Sequence, residues 1–232
     1  MKIGILGDIH GNKFALDAVL RSATADGIDQ LLVTGDFVGY YFEPRRVLEL
    51  LSEWRFEAVR GNHEIMLSRS RFDPSYLMEV DRRYGSGVRI ALEQLSEQQL
   101  DEVCGLSHPA ELEIDGIRIL LCHGSPWDVD QYVYPDSDPT LMERCGSGKF
   151  DLVVMGHTHY PLVKQQGATL LVNPGSVGQP RNRRPGAAWA IFDTADRTVE
   201  MRSESYDPAD LVRECRLRHP ELPYLSEVLL RT

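Results

Sequence analysis

The sequence predicts an α/β fold, a four-layer α-β-β-α sandwich of two mixed sheets flanked by helices, and two observations predict it. Short apolar runs end repeatedly in a glycine beside a potential metal ligand, with helically spaced apolar residues between them. Further along the chain strand candidates follow one another, and two sheets packed face to face with helices outside account for that order of elements.

Lys2 to Leu6 reads as a buried strand that stops at Gly7-Asp8-Ile9-His10-Gly11-Asn12, after which Phe14, Ala15, Ala18 and Val19 recur at helical spacing. Gln30 to Thr34 repeats the pattern into Gly35-Asp36, and a helix starts near Pro44 with Val47, Leu48, Leu51 and Trp54 on one face. Phe56 to Arg60 then leads into Gly61-Asn62-His63-Glu64. Three strands in a row thus end in a glycine and a ligand type, as at the carboxyl edge of a parallel sheet, where such sheets bind ligands.

Residues 65 to 108 read as a helical insertion, in which Ser96-Glu97-Gln98-Gln99 is a capping-box start. Asp115-Gly116 signals a type I′ hairpin between Leu112–Ile114 and Ile117–Cys122, the second of which runs into His123-Gly124. Leu152 to Met155 stops at Gly156-His157-Thr158-His159. Thr169–Val172, Ala187–Phe192 and Thr198–Ser203 are further strands, and a helical C-terminal tail begins near residue 207. The organisation expected is one domain over residues 1–232 carrying that insertion and that tail.

The chain has 232 residues, 42% hydrophobic and 26% charged, which is material for one substantial core and excludes a disordered or disulfide-framed protein. A net charge of −10 leaves no basic field to hold a nucleic-acid backbone or an anionic membrane, so an anionic substrate must be attracted locally. The four cysteines, Cys104, Cys122, Cys145 and Cys215, lack C-x-x-C spacing and read as reduced thiols. An aspartate at position 8 comes too soon for a signal peptide, and no apolar run approaches the ~20 residues of a membrane span, so a cytoplasmic location is expected.

Five of the seven histidines, His10, His63, His123, His157 and His159, directly follow strands beside glycine or another ligand type. Asp8-x-His10 and His157-x-His159 place donors at i and i+2, which in extended backbone point to one side and converge on a metal. Asp36 and Asn62 complete an oxygen and nitrogen set without thiolates, suited to zinc, manganese or iron and larger than one ion needs. His108 and His219 lack this context and read as structural.

Asp8-Ile9-His10, Gly35-Asp36, Gly61-Asn62-His63-Glu64, His123-Gly124 and Gly156-His157-Thr158-His159, in this order, resemble the motifs of the calcineurin-like metallophosphoesterases. The resemblance implies two divalent ions (Mn, Fe, Zn or Ni), one held by Asp8, His10, Asp36 and His159 and the other by Asp36, Asn62, His123 and His157, with Asp36 bridging. It also implies in-line attack by a metal-bridging hydroxide on a phosphate ester, with His63 protonating the leaving alkoxide or steadying the transition-state oxygen. Serine/threonine phosphatases of the superfamily carry G-D-x-x-D-R-G, whereas Gly39 and Tyr40 stand in the last Asp and Arg positions here, which argues against protein phosphatase activity. Glu64 is then a candidate partner for orienting His63.

Through Asn173-Pro174-Gly175-Ser176-Val177-Gly178-Gln179-Pro180-Arg181 the chain is similar to the compact bacterial and archaeal phosphodiesterase-like group. That similarity implies a phosphodiesterase acting on a small-molecule ester, compatible with a homodimer. The alternatives are a nucleotide hydrolase (cyclic nucleotide or dinucleoside polyphosphate), a phosphomonoesterase, or a scaffold that keeps the fold without turnover. Arg181, Arg183 and Arg184 could reach a substrate phosphate or form a solvated loop, and Arg181 is the candidate substrate-binding residue. Trp127 and Tyr132 to Tyr134 could wall a substrate ring or simply pack.

Overall fold

The computed structural model describes residues 1–231. Its elements are β1 (Lys2–Leu6), α1 (Lys13–Ala25), β2 (Gln30–Val33), α2 (Pro44–Ser52), β3 (Phe56–Ala58), α3 (Asn62–Ser70), α4 (Pro74–Tyr84), α5 (Gly87–Gln94) and α6 (Glu97–Cys104). There follow β4 (Ala110–Ile114), β5 (Ile117–Leu121), α7 (Pro139–Cys145), β6 (Leu152–Val154), β7 (Leu162–Gln166), β8 (Thr169–Asn173), β9 (Ala187–Asp193), β10 (Thr198–Glu204), α8 (Ala209–Arg218) and α9 (Tyr224–Glu227).

They form two five-stranded mixed sheets, ordered β10-β9-β1-β2-β3 and β4-β5-β6-β8-β7. In the first, β1, β2 and β3 run parallel while β9 is antiparallel to β1. In the second, β5, β6 and β8 run parallel while β4 and β7 close the edges antiparallel. Alternation along each strand separates the layers, because successive side chains leave opposite faces. Ile3, Ile5, Leu32 and Phe192 meet Ile119, Leu121, Leu152 and Val154 between the sheets. Leu6, Leu31, Val33 and Ile191 face the helices of the first sheet, and Leu120, Val153 and Leu171 face α7 residues Met142 and Cys145. This is the expected sandwich.

The details differ from expectation in three places. β3 ends at Ala58 rather than Arg60, because the Arg60 N–H leaves the sheet to donate to the carbonyl of Ser107 at 3.1 Å. β7 and α7 have no counterpart in the sequence reading: β7 is an edge strand whose Val163 is exposed, so its alternation is weak, and α7 has only seven residues. The hairpin at Asp115-Gly116 has φ of 53° and 73°, as type I′ requires.

The tail from α8 onward packs under the loop after β2, where Tyr41 and Phe42 meet Leu211, Val212, Leu225 and Val228. Among the described residues all four cysteines are free, and no helix is long and apolar enough to cross a membrane.

Candidate metal centre

The candidate ligands all follow the carboxyl ends of parallel strands. Asp8 and His10 follow β1, Asp36 follows β2, Asn62 opens α3 after β3, His123 follows β5, and His157 and His159 follow β6. The seven come together; six are buried, His157 being the most accessible of these at 5%, and Asn62 is partly exposed. The i, i+2 pairs do not converge through extended backbone, as expected from sequence. Asp8, His10, Asp36, His157 and His159 all adopt left-handed backbone, with φ between 50° and 66°. At about 1 kcal/mol each for residues with a Cβ, five such positions cost an amount comparable with a domain's whole stability. Hydrogen bonds across the loops offset it: Asp8 and Ile9 donate to the carbonyls of Gly35 and Asp36, and His10 donates to that of Asp36.

Two groups of donors share one carboxylate. Asp36 Oδ2 lies 3.7 Å from His10 Nε2 and 3.5 Å from His123 Nε2. On one side His10 Nε2 is 3.1 Å from His159 Nε2, which is 3.3 Å from Asp8 Oδ1. On the other, His123 Nε2 is 3.1 Å from Asn62 Oδ1 and 3.2 Å from His157 Nδ1. The remaining Asp36 oxygen accepts the His63 backbone N–H at 2.9 Å.

Each of three rings is locked by its far nitrogen. His10, His123 and His159 donate Nδ1–H to the carbonyls of Val38, Thr34 and Gln179 at 3.1, 2.7 and 2.6 Å. A carbonyl only accepts, so the proton sits on Nδ1 and a lone pair is left on Nε2. Burial, then neighbouring imidazoles and Arg181, holds His10 well below the usual histidine range; burial likewise lowers His159, and brings His157 to about 3. Burial, then the charges of Glu64 and Asp8, pushes Asp36 well up. Neutral imidazole lone pairs facing one another, beside crowded carboxylates, are a repulsive arrangement for the protein alone and a favourable one around cations. The donor set therefore fits divalent metal ions.

His63 sits at the edge of this set. Its ring meets His10 at a centroid distance of 4.7 Å, Tyr40 at 4.9 Å and Tyr84 at 5.5 Å. Gly39, at φ +89°, makes room for it, since a Cβ there would stand 1.9 Å from His63 Nδ1. Gly61 has the same necessity, because a Cβ would meet Asp36 Oδ1 at 2.1 Å. Glu64 is not the partner of His63. It turns back, accepting the backbone N–H groups of Asp36 and Gly61 at 2.8 Å each and of Phe37 at 2.9 Å. Adjacent helical residues point about 100° apart, and this is the reason adjacency misleads here.

Arg181 reaches the centre, held by Gln179 Oε1 at 2.9 Å and the Tyr40 hydroxyl at 3.1 Å, whereas Arg183 and Arg184 are exposed. Trp127 packs away under the Arg144 guanidinium at 3.7 Å, while Tyr132 lies against His157. His219 bonds Ser86, outside the centre. Gln179, Tyr40 and the backbone carbonyls that lock the histidines carried no sequence signal for these roles, although Gln179 and Tyr40 both lay inside recognisable runs.

Residues 1–197 match the model of the calcineurin-like phosphoesterase superfamily domain. A metallophosphoesterase from Sphaerobacter thermophilus superposes with a TM-score of 0.80 at 28% identity, over 100% of this chain and 98% of that one. A hypothetical protein from Pyrococcus horikoshii shares the fold, with a TM-score of 0.86 at 23% identity over 98% and 97% of the two chains. Phosphodiesterase YfcE of Escherichia coli K12 is 26% identical over 203 residues, 83% of this chain and 88% of its own length.

Proposed function

The chain belongs to the calcineurin-like phosphoesterase superfamily, and from that premise we propose that it is a phosphodiesterase with two divalent cations. The observation that carries this reading is the position of Asp36, whose one oxygen stands between His10 and His123, the inner donors of two separate groups. Asp8, His10, Asp36 and His159 would hold one ion, and Asp36, Asn62, His123 and His157 the other. When bound, such a pair polarises a phosphoryl oxygen and acidifies water for in-line displacement.

The protein's own groups supply the rest. His63 is held neutral, by burial first and then by the surrounding histidines and Arg181. Its contribution is a hydrogen bond toward the leaving oxygen rather than the charge of an imidazolium. Arg181 spends Nε and Nη2 on Gln179 and Tyr40, which fixes its plane and leaves Nη1 to donate to a free phosphoryl oxygen. Tyr40 replaces the arginine expected in the protein phosphatase branch, and its hydroxyl receives Arg181 instead. One guanidinium suits the single charge of a diester, in keeping with the name of the Escherichia coli relative, phosphodiesterase YfcE.

The test strips the protein of metal, reloads it with manganese and compares bis(4-nitrophenyl) phosphate with 4-nitrophenyl phosphate. Faster diester hydrolysis that chelator abolishes is expected. Preference for the monoester, or turnover indifferent to chelator, overturns the proposal.

A further inference from the structure

Tyr132 lies against His157, with ring centroids 4.1 Å apart at 38°, yet it remains 45% exposed. Its ring is nearly parallel to that of Tyr134, at 5.6 Å and 9°, and Tyr134 is braced edge-on by Tyr160 at 5.6 Å. A stacked pair of rings, braced edge-on by a third, thus stands at the mouth of a polar centre, outside helix and strand. The nearby Trp127 was covered by Arg144; Tyr132 was not. An aromatic ring held in place by its neighbours and left open beside a polar centre is suited to receive a planar group.

Its position relative to His63 says which part of a substrate it meets. His63 groups with His10 and Asp36, while Tyr132 touches His157, which groups with His123 and Asp36. The two therefore flank opposite donor groups. Hydrolysis of a diester joins a water oxygen to phosphorus, breaks the P–O bond to the departing arm and places a proton on that arm's oxygen. With the departing oxygen at His63, the arm that stays on phosphorus falls on the Tyr132 side.

Resting on the phosphodiesterase reading above, we propose that Tyr132 is a specificity-determining residue that binds the retained ester arm, and that this arm is a planar aryl or heteroaryl group. Stacking of such a ring on one aromatic side chain is worth about a tenfold change in binding or more.

The test uses the manganese-loaded chain and two diesters with one leaving group, 4-nitrophenyl phenyl phosphate and 4-nitrophenyl methyl phosphate. Calorimetry of the products phenyl phosphate and methyl phosphate supplies a readout apart from turnover. The wild type is expected to favour phenyl over methyl in both KM and affinity. Tyr132→Ala and Tyr132→Leu lower that ratio by about tenfold, and Tyr132→Phe keeps it. An unchanged ratio in the Ala and Leu variants, equal affinity of the wild type for the two monoesters, or a Phe variant as impaired as Ala overturns the proposal. If the loaded chain hydrolyses neither diester the proposed activity falls, and the calorimetric ratio by itself decides the aromatic subsite.

Discussion

His10 and His159 face each other Nε2 to Nε2 at 3.1 Å, although each has already spent its N–H on a backbone carbonyl. No proton is left between them, so the contact is a repulsion that a cation converts into two bonds. Chelation is therefore expected to lower the thermal midpoint. A ligand that binds only the folded state at a hundred times its Kd adds about 2.7 kcal/mol, or roughly 5 to 10 °C for a chain of this size. Scanning calorimetry with and without chelator checks it; an unmoved midpoint would mean that the metal-free loops pay nothing for this geometry.

The sharing of Asp36 gives a second expectation. Asp36→Ala should lower metal content from two ions toward none, whereas Asp8→Ala should cost one, because Asp8 lies with the His10 and His159 group alone. Metal analysis after dialysis separates these outcomes. Equal losses in the two variants would argue against a bridging carboxylate.

Much of this candidate centre was legible because its candidate ligands sit at strand ends, where short apolar runs and glycines mark their positions along the chain. The geometry between them was less so. The left-handed backbone of Asp8, His10, Asp36, His157 and His159 is unusual for residues with a Cβ, and nothing in the residue types announces it. Glu64 stood beside His63 in sequence but bonds across to the Asp36 loop, and Tyr132 meets His157 through a loop without periodicity. The tail contacts with Tyr41 and Phe42 depend on long-range packing that a local pattern does not encode.

His63 touches the donor set through its ring, but its backbone N–H makes the bond to Asp36. His63→Ala keeps that bond, so metal content should stay near the wild-type value while kcat falls about 10²- to 10⁴-fold. Parallel measurement of metal and of kcat decides the point. Matching losses would make His63 a ligand.

In the metal-free chain the buried histidines also set an acid limb. Burial, followed by the charge of His123 and, at His108, that of Arg60, leaves His157 at about 3 and His108 at about 4, below the 6.5 of the unfolded chain. The unfolded state then binds more protons between those values, so this stability is complete well above pH 6.5 and is lost as pH falls through 6.5 toward the folded-state values. Urea unfolding of chelated protein at pH 7.5, 6.5 and 5.5 should show a small drop in the first step and a larger one, about 1 kcal/mol per histidine, in the second. A flat profile would count against neutral histidines in the fold.

Glu64 links the two motifs that meet at Asp36. Its oxygens accept from Asp36 and Gly61 on one side and from Phe37 and Val38 on the other, at 2.8, 2.8, 2.9 and 3.4 Å. Asp36 is one of the left-handed positions, so this carboxylate holds strained backbone in place from behind the metal centre. Glu64→Gln turns an acceptor into a donor that confronts buried N–H groups, each costing about 1 to 3 kcal/mol when left unpaired. A midpoint loss of several degrees is expected together with weaker metal retention, since Asp36 would be freed to relax. Calorimetry on the chelated variant isolates the first effect and metal titration the second; a variant that loses stability but keeps wild-type metal affinity would show that Asp36 is placed by its other neighbours instead.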